Sequence, residues 1–204
     1  MWEQLWSFSF FTMLLAISPG PDNIYVLTQS LVNGTKSGIV TTLGLLSGCI
    51  VHTSLLAFGV SAVIAASDVA ILVIKIVGAA YLLFLAYKVF RSDASITISE
   101  EAPQKSYLEL YKTGVVMNLV NPKVLLFFLA FFPSFLWNPT ENTILQFYVL
   151  GLTFMVVSFF IFGGIALLSG QISTYLLKHS KTGVYLKWLQ ILVFIGIAVF
   201  IFIP

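Results

Sequence analysis

A chain of 204 residues that is 59% hydrophobic and 9% charged, with a mean hydropathy of +1.01, cannot present an ordinary soluble surface, where roughly a quarter or more of residues are charged. The composition predicts an all-α integral membrane protein. The net charge of +2 comes with no basic run interleaved with aromatics, which argues against nucleic acid, and the single cysteine, Cys49, rules out an internal disulfide and a zinc or iron–sulfur ligand set.

Against the roughly 20 apolar residues needed to cross a bilayer, the chain divides into six segments, at about 5–31, 38–66, 69–90, 113–136, 143–169 and 184–203. The first is not read as a cleaved signal peptide, because its leader carries Glu3 rather than a Lys or Arg cluster and apolar sequence resumes beyond Pro21. It is interrupted by Ile17-Ser18-Pro19-Gly20-Pro21-Asp22-Asn23, and the fourth by Met117-Asn118-Leu119-Val120-Asn121-Pro122-Lys123. Proline removes a backbone donor and clashes with the preceding turn. In lipid such a break survives only where protein or a wet cavity satisfies the freed groups, and matched breaks in two halves point to a transporter's substrate site.

Ser18-Pro19 and Asn121-Pro122 each set an N-cap residue before a proline suited to the first helical position, so each is expected to begin a half-helix. About 13 residues before the first break span roughly 20 Å, within a hydrocarbon core about 30 Å thick. The new starts, with backbone donors of Gly20, Asp22 and Lys123, suit a carboxylate.

The polar stretch 93–112 reads as a cytoplasmic linker between two three-segment repeats, 1–92 and 113–204, within a single transmembrane domain, 1–204. An odd number of spans in each half makes the repeats inverted. Lys36, Lys88, Arg91, Lys105, Lys112, Lys178, Lys181 and Lys187 share one face and the other has at most Lys75, which predicts cytoplasmic odd-numbered connections and both termini outside. Trp2, Trp6, Trp137 and Trp188 fit interfacial anchors.

Charges at membrane depth cost about 2.5 to 3.5 kcal/mol on insertion scales, so Asp22 and Lys123 should face a partner or a cavity. In the functional alternative Asp22 takes a substrate ammonium or a coupling proton and Lys123 a carboxylate; in the structural one they form an ion pair that locks the halves. Ser18, Gly20, Asn23, Tyr25, Asn118 and Asn121 fit a polar lining, while Pro19, Pro21 and Pro122 make the breaks. His52 either relays a proton with Asp22 or packs as a neutral, hydrogen-bonded ring. Gly44 and Gly48 form a GxxxG pattern for close packing, within one subunit or between two. Phe127, Phe128, Phe131, Phe132 and Phe135 form a lipid-facing or packing surface.

Three function classes compete. Secondary transport by alternating access accounts for the paired breaks. A passive small-solute channel is the alternative. An intramembrane enzyme lacks a constellation, since His52 and His179 have no companion motif, and no metal site, cofactor or phosphate-cradling loop is expected.

Ser18 through Leu27, the glycines Gly34, Gly38, Gly44 and Gly48, the stretch Lys75 through Leu82 and Asn118 through Lys123 resemble the LysE/RhtB family of amino acid exporters. The resemblance runs along nearly the whole chain with its motifs in order. It implies six spans in the inner (plasma) membrane, export of amino acids or related small metabolites driven by a proton or other ion gradient, and often a homodimer.

Overall fold

Within a bilayer the backbone must satisfy its own hydrogen bonds, and helices do this locally. In a computed structural model that describes residues 1–66, 68–94, 102–179 and 181–202, all regular structure among the described residues is helical. The chain runs through α1 (Trp2–Ile17), α2 (Pro21–Asn33), α3 (Thr35–Leu55), a π-helical turn (Leu56–Val60), α4 (Ser61–Ala66), α5 (Asp68–Arg91), α6 (Tyr107–Val120), α7 (Pro122–Phe131), a 3-10 turn (Phe132–Phe135), α8 (Thr143–Leu167), α9 (Ser169–Lys178) and α10 (Thr182–Phe200). Linker positions 95–101 and the end of the sixth predicted segment at Ile203 lie outside the described residues.

Among the described residues four helices are long and apolar enough to span a membrane, namely Thr35–Ile64, Val69–Arg91, Thr143–Leu167 and Thr182–Phe200. The pair Tyr107–Val120 and Pro122–Phe135, bent by 54°, makes a fifth if taken as one span. The first predicted segment is present as α1 and α2, of 16 and 13 residues, each short of the roughly 20 that cross alone. Gly34, at φ 84, takes the left-handed backbone that lets α2 turn directly into α3.

Three boundaries differ from the sequence expectation. The fourth segment starts at Tyr107 rather than near 113, because a capping box lengthens it. Glu109 N–H donates to Ser106 Oγ at 3.3 Å, and Ser106 N–H donates to the Glu109 carboxylate at 2.8 Å. The second segment contains a π turn, where Ser61 N–H reaches Leu56 O. After α8 the chain forms the short amphipathic α9, whose Ser169 and Ser173 are buried, where only a connection was expected.

Helix α3 packs along α6 and α8, α8 along α1 and α2, and α5 along α10 and α7. The α3–α6 contact is made at glycines. A Cβ on Gly44 would run into the Tyr111 carbonyl and come 3.1 Å from Gly114 Cα, and one on Gly114 would lie 2.9 Å from Leu45 N. The GxxxG pattern is therefore spent inside one subunit. The phenylalanines of α7 and its 3-10 turn are a packing surface, not a lipid-facing one. Phe127, Phe128, Phe131, Phe132 and Phe135 are all buried, and they mesh with Phe8, Phe11, Phe154 and Phe200 through contacts such as Phe128–Phe154 at 4.9 Å and Phe8–Phe132 at 4.8 Å. Such pairs add about 0.5–1.5 kcal/mol each beyond area burial.

Several cation-bearing ends gather at one end of the bundle. Lys187 Nζ donates to Ser92 O at 2.7 Å, Lys105 Nζ lies 6.0 Å from the Tyr25 ring, and Phe90 packs on Trp188 at 6.1 Å. The linker residues Gln104 to Tyr107 and the α2–α3 connection share a cavity there. At the opposite end Gln146, buried on α8, accepts from Trp137 N–H and Asn138 N–H and donates to Asn138 O and Glu141 O. Its amide is fully used as a rivet for the α7–α8 connection.

Candidate functional site at the two helix breaks

A proline cannot donate to the carbonyl four residues before it. Pro19 leaves Leu15 O without its helical partner, and Pro122 does the same to Asn118 O. Both carbonyls recover a donor from far along the chain. Lys123 Nζ donates to Leu15 O at 3.2 Å and to Ser18 O at 3.1 Å, and His52 Nε2 lies 3.3 Å from Asn118 O. Ala16 O, next in line at the end of α1, accepts from Asn23 Nδ2 at 2.6 Å.

The two breaks differ locally. Helix α7 begins as expected for an Asn-Pro start, with Asn121 as N-cap accepting from Lys123 N–H at 3.0 Å and Pro122 at the first turn. At the first break Ser18 is not an N-cap. It closes α1, its N–H donating to Leu14 O, and α2 begins at Pro21 behind an extended Gly20 with no side-chain cap. The second proline, not the first, fixes the start. Asp22 therefore sits in the first turn of α2, where the positive end of the helix dipole favours a carboxylate, while the Lys123 ammonium sits on the negative end of α1.

These dipoles stabilise both charges without direct contact between them. Asp22 Oδ2 accepts from Asn121 Nδ2 at 2.8 Å, and the same amide's oxygen accepts from Lys123 N–H. Asn121 thus joins the acid of the first half to the second half. Two of the three Lys123 ammonium donors are used on α1 carbonyls. Among the described residues Asp22 Oδ1, Asn118 Oδ1, Ser18 Oγ and Ser158 Oγ are buried with no hydrogen-bond partner.

Asp22, Asn23, Gly20, Asn118, Asn121 and Lys123 converge on a cavity of about 40 Å³, whose apolar wall includes Leu45 and Phe154. That holds about one water and is far below the roughly 300 Å³ at which ligand pockets begin. The site is closed around its own polar groups. Two neighbouring cavities of about 390 and 330 Å³, which share Gly20, Pro21, Val89, Ser92 and Gln190, lead from the breaks toward the cation-rich end. The smaller also touches Asn121 and Lys123. In the other direction Phe154 passes from the cavity wall into the phenylalanine cluster.

Tyr25 and His52 lie apart from this cavity. The Tyr25 ring faces Lys105 at the cation-rich end. His52 stands behind Asn118, with its ring 5.5 Å from Phe128. Ser18 reaches the site through its carbonyl. Sequence reasoning missed Cys49, which accepts from Asn118 Nδ2 at 3.5 Å, and Ser158 on α8; both line the cavity. Ser158 had a signal, a hydroxyl set among Val156, Val157, Phe159 and Phe160.

The chain matches the family model for LysE type translocators over residues 13–203. It is 31% identical over 173 residues, 84% of each chain, to a protein named homoserine/homoserine lactone efflux protein from Salmonella typhimurium, and equally so to one of the same name from Salmonella typhi. It is also 31% identical over 164 residues, 80% of each chain, to an uncharacterized membrane protein of Vibrio cholerae. No solved structure matches it. With a family match over nearly the whole chain, relatives covered almost end to end and a helical bundle rich in apolar spans, this chain belongs to the LysE-type translocator family and is a multi-pass membrane transporter rather than an enzyme.

Proposed function

We propose that this transporter exports a small zwitterionic amino acid or a close derivative from the cytoplasm, by alternating access around the two helix breaks and at the expense of a proton or other ion gradient. The observation that carries this reading is an open valence of each sign at one small cavity. Asp22 Oδ1 has no partner among the described residues, and Lys123 has one ammonium donor beyond the two it uses. An α-ammonium suits the first. An α-carboxylate suits the second together with the uncapped N-terminus of α2.

The neutral polar atoms Asn118 Oδ1 and Ser158 Oγ complete the match for a side chain carrying a hydroxyl, such as the homoserine named in the relatives. A cationic side chain finds no second carboxylate among the cavity-lining residues. Tyr25, at the cation-rich end, is left as a contact on the entry path.

Packing supports two inverted repeats. The contact of α3 with α6 in one direction is mirrored by that of α8 with α1 and α2 in the other, while α3–α8 and α5–α10 each map onto themselves. Each break also draws a donor from the opposite half, Lys123 for the first and His52 for the second. The phenylalanine cluster on one side and the cavities on the other describe a conformation reached from the cation-rich end. By the positive-inside rule that end faces the cytoplasm, with both termini outside and the bundle in the inner membrane. The site is built within one chain, so each subunit of a homodimer would carry its own.

Asp22 is the natural carrier of a coupling proton, because it exchanges its partner whenever an ammonium leaves. The test is uptake of labelled homoserine, alanine, leucine and lysine by oriented proteoliposomes under an imposed pH gradient. Uphill movement of homoserine that collapses with an uncoupler is expected. Downhill movement indifferent to the gradient would replace the exporter with a passive channel.

A further inference from the structure

From the carbonyl that Pro122 releases, we infer that His52 is a positioning residue of the transport site: its Nε2–H holds Asn118 O and so fixes the second break against α3. This rests on the reading that the breaks form the site, and it assigns His52 a role other than proton carrier or filler.

The bond has a specific cause. Asn118 O faces the one residue type that cannot donate to it, and the Asn121 N–H that replaces the missing donor does so at 3.2 Å across a tightened turn. A carbonyl only accepts, so the ring must carry its proton on Nε2. Nδ1 has no partner among the described residues, so the one hydrogen bond this ring makes is the one to Asn118 O. His52 is also 3% exposed, among the most enclosed polar side chains of the bundle.

Three neighbours on α3 hold the same turn. Gly48 lies so close to Asn118 that a Cβ there would sit 2.6 Å from Asn118 Oδ1. Cys49 accepts from Asn118 Nδ2. One turn further on, His52 takes the carbonyl. Gly48, Cys49 and His52 thus hold both the side chain and the carbonyl of Asn118 against α3, and Asn118 precedes by one turn the residue that joins Asp22 to Lys123. When the bundle rocks, α3 and the second break move as one body, and the first break moves against them.

The experiment compares His52→Gln, which keeps an N–H at similar reach, with His52→Leu, which fills the space and donates nothing. Two readouts are taken in full-length protein: homoserine transport across a pH series, and the alkylation rate of the native Cys49 without substrate. Losing a side-chain donor to a buried carbonyl corresponds to about tenfold in rate. We expect His52→Gln to retain most of the transport with the wild-type pH profile. His52→Leu should lose about tenfold or more, with Cys49 alkylated several-fold faster as Asn118 lets go.

The inference is overturned if His52→Gln is as impaired as His52→Leu, which is the pattern of a proton carrier. It is equally overturned if His52→Leu matches wild type in both readouts, the pattern of a space-filling ring. Should the wild type move no amino acid at all, the substrate reading falls, and the alkylation rates still decide the role of His52.

Discussion

The two breaks face the same difficulty and resolve it differently. The second is a one-residue interruption with its own cap: Asn121 closes the start of α7, and Gly48, Cys49 and His52 grip the end of α6. The first interrupts the helix over residues 18–20, has no side-chain cap on α2, and depends on Lys123 from the other half to satisfy the end of α1. A break with its own cap, gripped by a packed neighbouring helix, is a rigid support. One held by a lysine that a substrate carboxylate can also engage is the part that changes when something else claims that donor.

Substitutions at each break test this contrast. The largest effect belongs to Asp22→Asn, which removes the charge at the start of α2 while keeping its shape; coupled transport should fall by about a hundredfold or more with membrane insertion intact, and flux near wild type would remove Asp22 from the mechanism. Next is Lys123→Ala. Buried carbonyls left without donors cost about 1–3 kcal/mol each, so thermal stability should drop and carboxylate-bearing substrates should bind at least tenfold more weakly. Unchanged affinity alongside lower stability would assign Lys123 to structure alone.

Asn121→Ala comes third. It deletes a cap worth about 1 kcal/mol together with the bridge between Asp22 and Lys123, and a tenfold loss of transport is expected. A larger loss than that of Lys123→Ala would mark the second break as the mobile one and reverse the comparison. The smallest effect is that of Ser158→Ala, which should raise KM for homoserine a few-fold and leave KM for alanine unchanged; equal changes for both substrates would show that Ser158 does not read the side chain.

Much of this arrangement is legible from residue types. Composition gives the membrane class, and the two prolines in apolar sequence give the breaks and the convergence of Asp22 and Lys123. The pattern fails where a residue's role depends on something far away in the chain. Ser18 looks like an N-cap because it precedes a proline, yet Pro21 two residues later sets the start and leaves Ser18 as the end of α1. Tyr25 shares the motif of Asp22 and lies within one turn of it, yet its ring meets Lys105 from the linker, a neighbour that no local pattern contains.

A lone cysteine in sequence bears only on disulfide and metal chemistry, and the place of Cys49 on the cavity wall follows from the packing of α3 on α6 through Gly44 and Gly114, which no local pattern contains. Ser106 and Glu109, by contrast, spell a capping box that was there to be read. The phenylalanine run had two outcomes by composition, and only the neighbours Phe8, Phe11, Phe154 and Phe200 decide for packing.

If both breaks face one shared substrate cavity, the native Cys49 on its wall reports directly on what enters it. Alkylation of Cys49 by a small maleimide is followed in the full-length transporter with and without saturating homoserine, in the wild type and in Asp22→Asn. Homoserine should slow alkylation of the wild type and have no effect on the variant, since protection requires the ammonium to reach Asp22 from the first half while the thiol sits beside Asn118 of the second. Labelling indifferent to substrate in the wild type, or protection undiminished by Asp22→Asn, would contradict the shared cavity.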